Sequence, residues 1–369
     1  MALRRVDPGR LRAQARKRDS KPKNQPRGKL GFYRVTTDTQ DGRPDMSVRD
    51  EHTSFAVVIP LYERRGFIGR AVASVLAQDT PAKEIIVVDD GSTDGGGDEV
   101  AQRFHGVRVI RQDNAGVGAA RNRGMAEAST TWVALLDADD YWTPDHLTEL
   151  TRIARAHPDA ALLSTHWKRV DDRAEPIPGG DTPGRIERID YFRRAAERGG
   201  PVWTSSAAIS RAAFERVGGF GSARLGEDQE YWARLALHGP VVVSSAITAA
   251  YVRGTGSVTE TERRAVRHEE IPRSGADALP VLATVAAALE GRSDQVLQSS
   301  LQAYWNAKLA RKAREALSRG EFYRARALAS FMRTPLEAWQ RHVRFATALP
   351  PVVLRLAWRI GQRSDGRFR

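Results

Sequence analysis

Three acidic clusters in the chain have residue types and spacings that could do chemistry. Asp89-Asp90 runs into Gly91-Ser92-Thr93-Asp94. Asp137-Ala138-Asp139-Asp140 places three carboxylates within four positions. Glu227-Asp228 precedes the apolar-periodic stretch Tyr231, Trp232, Leu235, Leu237. A neighbouring pair such as Asp89-Asp90 can accept from a base N–H or a ribose hydroxyl. An Asp-x-Asp can hold one Mg²⁺ or Mn²⁺ through hard oxygen ligands and leave coordination positions for a diphosphate. Each cluster also has a plainer reading. The first suits a solvated turn, the second adjoins a helix start at Thr143-Pro144, and the third is favourable to a helix macrodipole. The chain has no cysteine, which excludes disulfides, zinc–thiolate sites, iron–sulfur clusters and cysteine nucleophiles.

The elements that must position these acids alternate between strand and helix. Phe55 to Pro60 is a β-branched apolar run closed by proline and predicts a buried strand. Phe67 to Leu76 has helical apolar spacing, and Glu84 to Val88 is a second buried strand that stops at Asp89. Strand, helix, strand at this spacing is a βαβ unit, and ligands bind beyond the carboxyl ends of such strands. Val107 to Ile110 and Thr131 to Leu136 predict two further strands, the latter ending at Asp137. Between them Asn114 to Gly124 carries Gly116 and Gly118 ahead of alanines, which opens a helix packed tightly on the sheet. It lacks the dinucleotide fingerprint and a Walker lysine. Carboxylates at the mouth of buried strands are costly without partners. Val202 to Ile209 is expected as a strand, with Trp203 either packing against a sugar ring or filling core.

In this order the motifs resemble those of family 2 glycosyltransferases. They are Val57 to Tyr62, Val87 to Asp94, Asn114 to Gly124, Leu136 to Asp140, and Arg211 to Phe220 followed by Gly226 to Trp232. The resemblance covers residues 54–257, with one departure at Tyr62-Glu63, where many relatives have Tyr-Asn. It implies an α/β fold: an A-type, Rossmann-like nucleotide-diphospho-sugar transferase domain with a C-terminal α-helical appendage. It also implies the site. Pro60, Tyr62, Glu63, Asp89 and Asp90 would frame the nucleobase and ribose, Arg121 and Asn122 would help position the nucleotide, and Asp137 would reach the ribose or the metal. Asp139 would hold Mn²⁺ or Mg²⁺, Asp228 would be the general base, and Trp203 and Glu227 would face the acceptor. The implied reaction is inverting transfer from a UDP- or dTDP-linked sugar to a glycan or lipid-linked acceptor in cell-surface polysaccharide or glycolipid synthesis.

Charge divides the chain into three parts. The net charge of +13 comes from residues 1–50 at +8 and 260–369 at +9, with −4 between them. The expected organisation is a basic, disordered tail over 1–53 and a catalytic domain over 54–257. The domain divides into a nucleotide-sugar half (54–142) and an acceptor half (143–257), and a basic helical region follows over 258–369. Ala313 to Gly320 and Phe322 to Leu328 predict two helices around a Gly320 turn. Trp339, Arg341, Arg344, Phe345 and the stretch Val352 to Ile360 mix basic and apolar residues as an interfacial helix does. No uninterrupted apolar run reaches membrane-spanning length, and the N-terminus lacks a signal-peptide pattern. The expectation is a cytoplasmic protein, peripheral on the inner face of the plasma membrane. Nucleic acid is not an expected partner, because the middle of the chain is acidic. The competing readings are a catalytically inactive sugar-nucleotide-binding scaffold and a polyanion-binding protein.

Overall fold

The structure is a computed structural model that describes residues 53–172, 177, 179–180, 183–256, 271–350 and 353. The basic segment 1–52, and the stretch from Val352 to Ile360 apart from Val353, lie outside these residues.

The first half alternates β1 (Phe55–Leu61), α1 (Arg65–Leu76), β2 (Glu84–Asp89), α2 (Gly96–Arg103), β3 (Val107–Arg111), α3 (Val117–Glu127) and β4 (Trp132–Leu135). β5 (Tyr141–Trp142), α4 (His146–Ala156), β6 (Leu162–Asp171), β7 (Ile186–Ile189), α5 (Tyr191–Arg198), β8 (Ala207–Ser210), α6 (Arg211–Val217), α7 (Glu227–His238) and β9 (Val241–Arg253) follow. Among the described residues these strands form one sheet in the order β3-β2-β1-β4-β8-β6-β9-β5, with β7 paired to β9. β1, β2, β3 and β4 are parallel, as the βαβ reading requires.

β1 is apolar at every position because both of its faces are covered, the usual state of a parallel strand. Ala56 and Val58 point into one core with α3. Phe55, Val57, Ile59 and Leu61 point into the other, against Ile68, Val72 and Val75 of α1. Pairing of β1 with β4 stops at Val58, two residues before Pro60, whose missing N–H could not extend it. β1 thus parts from β4 there while it stays paired with β2 as far as Leu61 and Asp89, and the carboxyl ends of the three strands border a mouth. Gly124 brings α3 onto β1 so closely that an added Cβ would collide with the Val58 side chain. Gly124→Ala is expected to destabilise the fold by about 1–3 kcal/mol through overpacking. Urea unfolding measures this, and an unchanged midpoint would show that the contact yields freely.

The second half folds back on this mouth. β8 runs antiparallel to β4, so the chain entering β8 sits beside the chain leaving β4. The strand expected over Val202 to Ile209 covers only its second part. Thr204–Ser206 is a 3₁₀ turn, with both the N–H and the hydroxyl of Ser206 returning to the Trp203 carbonyl. Short hydroxyl side chains compete here with the sheet ladder and set Trp203 off the strand.

The chain after residue 279 is helical: α8 (Pro280–Gly291), α9 (Gln295–Ser318), α10 (Phe322–Ser330) and α11 (Ala338–Ala348). α9 and α10 flank Gly320, whose φ of 78° makes the predicted turn. Leu301, Tyr304 and Leu309 of α9 belong to the same core as Tyr191, Phe192, Tyr231 and Trp232. The Phe192 and Tyr304 rings meet edge to face at 5.5 Å. Arg311 of α9 donates to the Ala195 and Ala196 carbonyls near the end of α5, at 3.0 and 2.6 Å.

Candidate active site

Asp89 and Asp90 both lie at the end of β2 and are buried. Asp90, 2% exposed, accepts from the Gln112 side chain at 2.7 Å and from the Ala115 and Gly116 N–H groups at 2.9 and 2.8 Å. Its charge thus holds the glycine loop that starts α3. Asp89 accepts from the Ser92 N–H at 2.9 Å and faces the Arg111 guanidinium at 3.9 Å. The cost of burying the pair is offset by these donors. Glu63, the departure from the family pattern, has a left-handed backbone at φ 49°. Its carboxylate accepts from the N–H and hydroxyl of Thr93, at 2.8 and 3.0 Å, and so staples the turn after β1 to the turn after β2. Tyr62 is 48% exposed at the mouth, next to the buried Pro60.

The three acids after β4 have different surroundings. Asp140 is enclosed and accepts from the Ser205 hydroxyl at 2.5 Å, the Val252 N–H at 2.9 Å and the Trp203 indole at 3.2 Å. Burial, with the Asp137 and Asp139 charges, pushes it well above the usual carboxylate range. Asp140 is therefore the post that ties β8 and β9 to this loop. Trp203, anchored by it, lies against Tyr251 and Trp167, with ring centroids at 4.4 and 6.2 Å. Asp139 accepts from the Thr255 hydroxyl at 2.8 Å, with Arg64 at 3.7 Å from the same oxygen. Burial and the nearby charge of Asp137 raise its pKa. Asp137 accepts from Arg121 at 2.7 Å.

Arg121 connects the two halves. It is 4% exposed, and its guanidinium donates to Asp137 after β4 and, at 3.1 Å, to Glu227 at the start of α7. Burial alone would lower its pKa, but the two carboxylates outweigh that and hold it above its ordinary value. Its charged group lies 5.2 Å from the Phe220 ring centre. Asn122, next in the chain, makes both bonds of its amide with Phe220, accepting from its N–H at 2.7 Å and donating to its carbonyl at 2.9 Å. Asn122 thereby clamps the loop before α7.

Asp228 follows Glu227 in the first turn of α7 and accepts from the Gln229 N–H at 2.7 Å. Burial raises the pKa of Asp228, against opposing contributions from Arg121 and Lys308. Glu227 is also raised by burial, with Arg121 opposing. Asp137, Asp228, Glu227 and Arg121 thus form one electrostatic group. Sequence reasoning missed four contributors: Arg64, Ser205, Thr255 and Lys308. Arg64 adjoins a motif residue and Ser205 lies in a hydroxyl-rich turn, so proximity was a usable signal for them. Thr255 and Lys308 lie outside every motif.

Residues 56–218 match the family model described as glycosyl transferase family 2. The succinoglycan biosynthesis protein ExoU of Rhizobium meliloti is 34% identical over 220 residues, 55% of this chain and 63% of that protein. The putative teichuronic acid biosynthesis glycosyltransferase TuaG of Bacillus subtilis is 40% identical over 98 residues, 25% of this chain and 38% of that protein. The chain thus spans less than two thirds of the length of either relative. Among solved structures, that of S. aureus TarS 1-349 in complex with UDP-GlcNAc superposes with a TM-score of 0.58 at 18% identity, covering 84% of this chain and 92% of that one. This likeness establishes the A-type glycosyltransferase fold. Residues 56–218 are therefore similar in sequence to the glycosyl transferase family 2 proteins.

Proposed function

We propose that this protein is an inverting glycosyltransferase. It moves a sugar from a UDP- or dTDP-linked donor to a glycan or lipid-linked acceptor in cell-surface polysaccharide or glycolipid synthesis. The observation that carries the reading is the Arg121 bridge, which brings the acids after β4 and the acids of α7 to one mouth. In this reading residues 54–142 bind the donor and 143–257 face the acceptor. Asp89, Asp90 and Glu63 shape the nucleoside end, chiefly by holding the loops that line it, and Pro60 and Tyr62 border it. Arg121 and Asn122 act on the donor side, Arg121 through Asp137 and Asn122 through the loop at Phe220. Trp203 and Glu227 border the acceptor.

Asp228 accepts the proton of an acceptor hydroxyl as that oxygen bonds to the anomeric carbon. The bond from that carbon to the diphosphate oxygen breaks on the opposite face, so the anomeric centre inverts and the nucleoside diphosphate departs. A carboxylate raised by burial is a better proton acceptor near neutral pH than an ordinary one. Among the described residues no three metal-ligating side chains gather. Asp137 and Asp139 nevertheless fit a cation completed by water and diphosphate, because they bring two hard carboxylate donors to the end of β4, held here by Arg121 and by Arg64 and Thr255. When bound, Mn²⁺ or Mg²⁺ would neutralise charge on the leaving diphosphate.

Peripheral contact with the cytoplasmic face of an anionic membrane completes the reading. Phe345 is 70% exposed on α11, near the exposed Arg341 and Arg344. Among the described residues no helix is long and apolar enough to cross a membrane.

Calorimetric titration of UDP, dTDP and their glucose, N-acetylglucosamine and rhamnose conjugates, with and without Mn²⁺, tests the donor site. Asp139→Ala is expected to weaken Mn²⁺-dependent donor binding by about tenfold or more while leaving the metal-free background unchanged. Absence of binding by folded wild-type protein across the panel would overturn the reading in favour of a polyanion-binding protein.

A further inference from the structure

Lys308 of α9 lies 79 residues beyond Gln229 in sequence, yet it reaches the transfer site. The Lys308 ammonium donates to the side-chain oxygen of Gln229, the residue that follows Asp228 and gives it a backbone N–H. It also lies 5.1 Å from the centre of the Tyr304 ring, in the contact between α9 and α5. We propose that Lys308 is a positioning residue of the glycosyl-transfer site, acting through Gln229 and Asp228 to keep the Asp228 carboxylate charged and aimed at the acceptor. This rests on the reading of Asp228 as the base.

The rest of the molecule makes this placement purposeful. Drawing an ammonium partly out of water is costly, and a helix that only had to pack at the half-buried Lys308 would do so with methionine or leucine at less cost. The tyrosines beside Asp228, Tyr191 and Tyr304, carry no charge at neutral pH, and burial raises both of their pKa values. Asp137 repels Asp228, and Arg121 is committed to Asp137 and Glu227. Lys308 is thus the cation facing Asp228 that neither of those acids engages in a described hydrogen bond. Burial pushes Lys308 down to about 8, so it keeps much of its charge at neutral pH. Its charge and that of Asp228 favour one another. The geometry makes the C-terminal helices a wall of the site as well as a support for the sheet.

Two measurements on the full chain test the proposal. The first is a double-mutant cycle in urea at pH 7.5. Lys308→Met should lower the unfolding midpoint, because it removes the bond to Gln229 and a positive charge that favours the Asp228 carboxylate. Adding Asp228→Asn should recover at least about half of that loss. Loss without recovery would make Lys308 a packing residue and overturn the proposal, as would no loss at all. The second is nucleoside diphosphate release from the conjugates named above, with water as acceptor. Lys308→Met should reduce kcat about tenfold with the donor KM unchanged, and Lys308→Arg should restore most of it. Equal losses in both variants would overturn the positioning role. Asp228→Asn in the same assay separates the two ideas: full activity there would remove the base assignment, while the urea cycle would still report the Lys308–Asp228 pairing. If Lys308→Met fails to fold, Lys308→Gln takes its place in both measurements.

Discussion

Asp228→Asn is expected to reduce glycosyl transfer by about 10²–10⁴-fold while changing donor affinity by no more than about twofold. The substitution keeps the size of the side chain and an oxygen that can accept from the Gln229 N–H at 2.7 Å. What it removes is the capacity to take a proton. Sugar hydroxyls are weak nucleophiles, so losing the proton acceptor falls on the chemical step. The donor should still bind, because its proposed contacts come from the ends of β1, β2 and β4. Nucleoside diphosphate release measures the first quantity and calorimetry the second. Transfer that persists at the wild-type rate would move the base to another residue. A parallel fall in donor affinity would give Asp228 a binding role instead.

Replacing Arg121 should be the most damaging single change to stability. Its guanidinium is 4% exposed and is shared by Asp137 and Glu227. Arg121→Met preserves most of the side-chain volume but leaves the buried Glu227 and the partly exposed Asp137 without their cation. Breaking a buried ion pair by removing one partner costs about 3–5 kcal/mol, and here two acids lose the same partner. The expected result is a fall in unfolding free energy of that order, together with loss of activity. Lysine should not rescue it, since one ammonium cannot present the guanidinium fork that reaches both acids. Urea denaturation decides the matter: a variant as stable as wild type would mean that Asp137 and Glu227 take up protons or water at no net cost.

The strands of the first half were legible because each is a short apolar run closed by a change in residue type. β1, β2 and β3 fall within one residue of the positions that their sequence suggests. The tightness of α3 against the sheet was expected from Gly116 and Gly118, but the close approach is made at Gly124, against Val58, while Gly118 faces Phe220 and Gly221. The positions of the acids at strand ends followed from the same pattern. Their partners did not. Arg121 and Glu227 are separated by 106 residues, and no local pattern announces that one guanidinium serves acids from both halves. The same holds for Asp139 and Thr255, 116 residues apart. Trp203 was displaced from its expected strand by hydroxyls whose bonding depends on Asp140, a residue read from sequence only as a neighbour of the metal motif. Lys308 looks like any helical lysine until its ammonium is seen to reach Gln229 in the first turn of α7.

The core that runs from β1 through Phe192 and Tyr304 to Val343 bears on how such proteins can be recombined. A graft of the family-matched stretch 56–218 onto another protein would carry Phe192 and Tyr191 without the aromatic surface that α9 lays over them. Such an uncovered patch invites association with other chains. Exchange of specificity between relatives must therefore move the sheet and its C-terminal helices together, as one inheritable block.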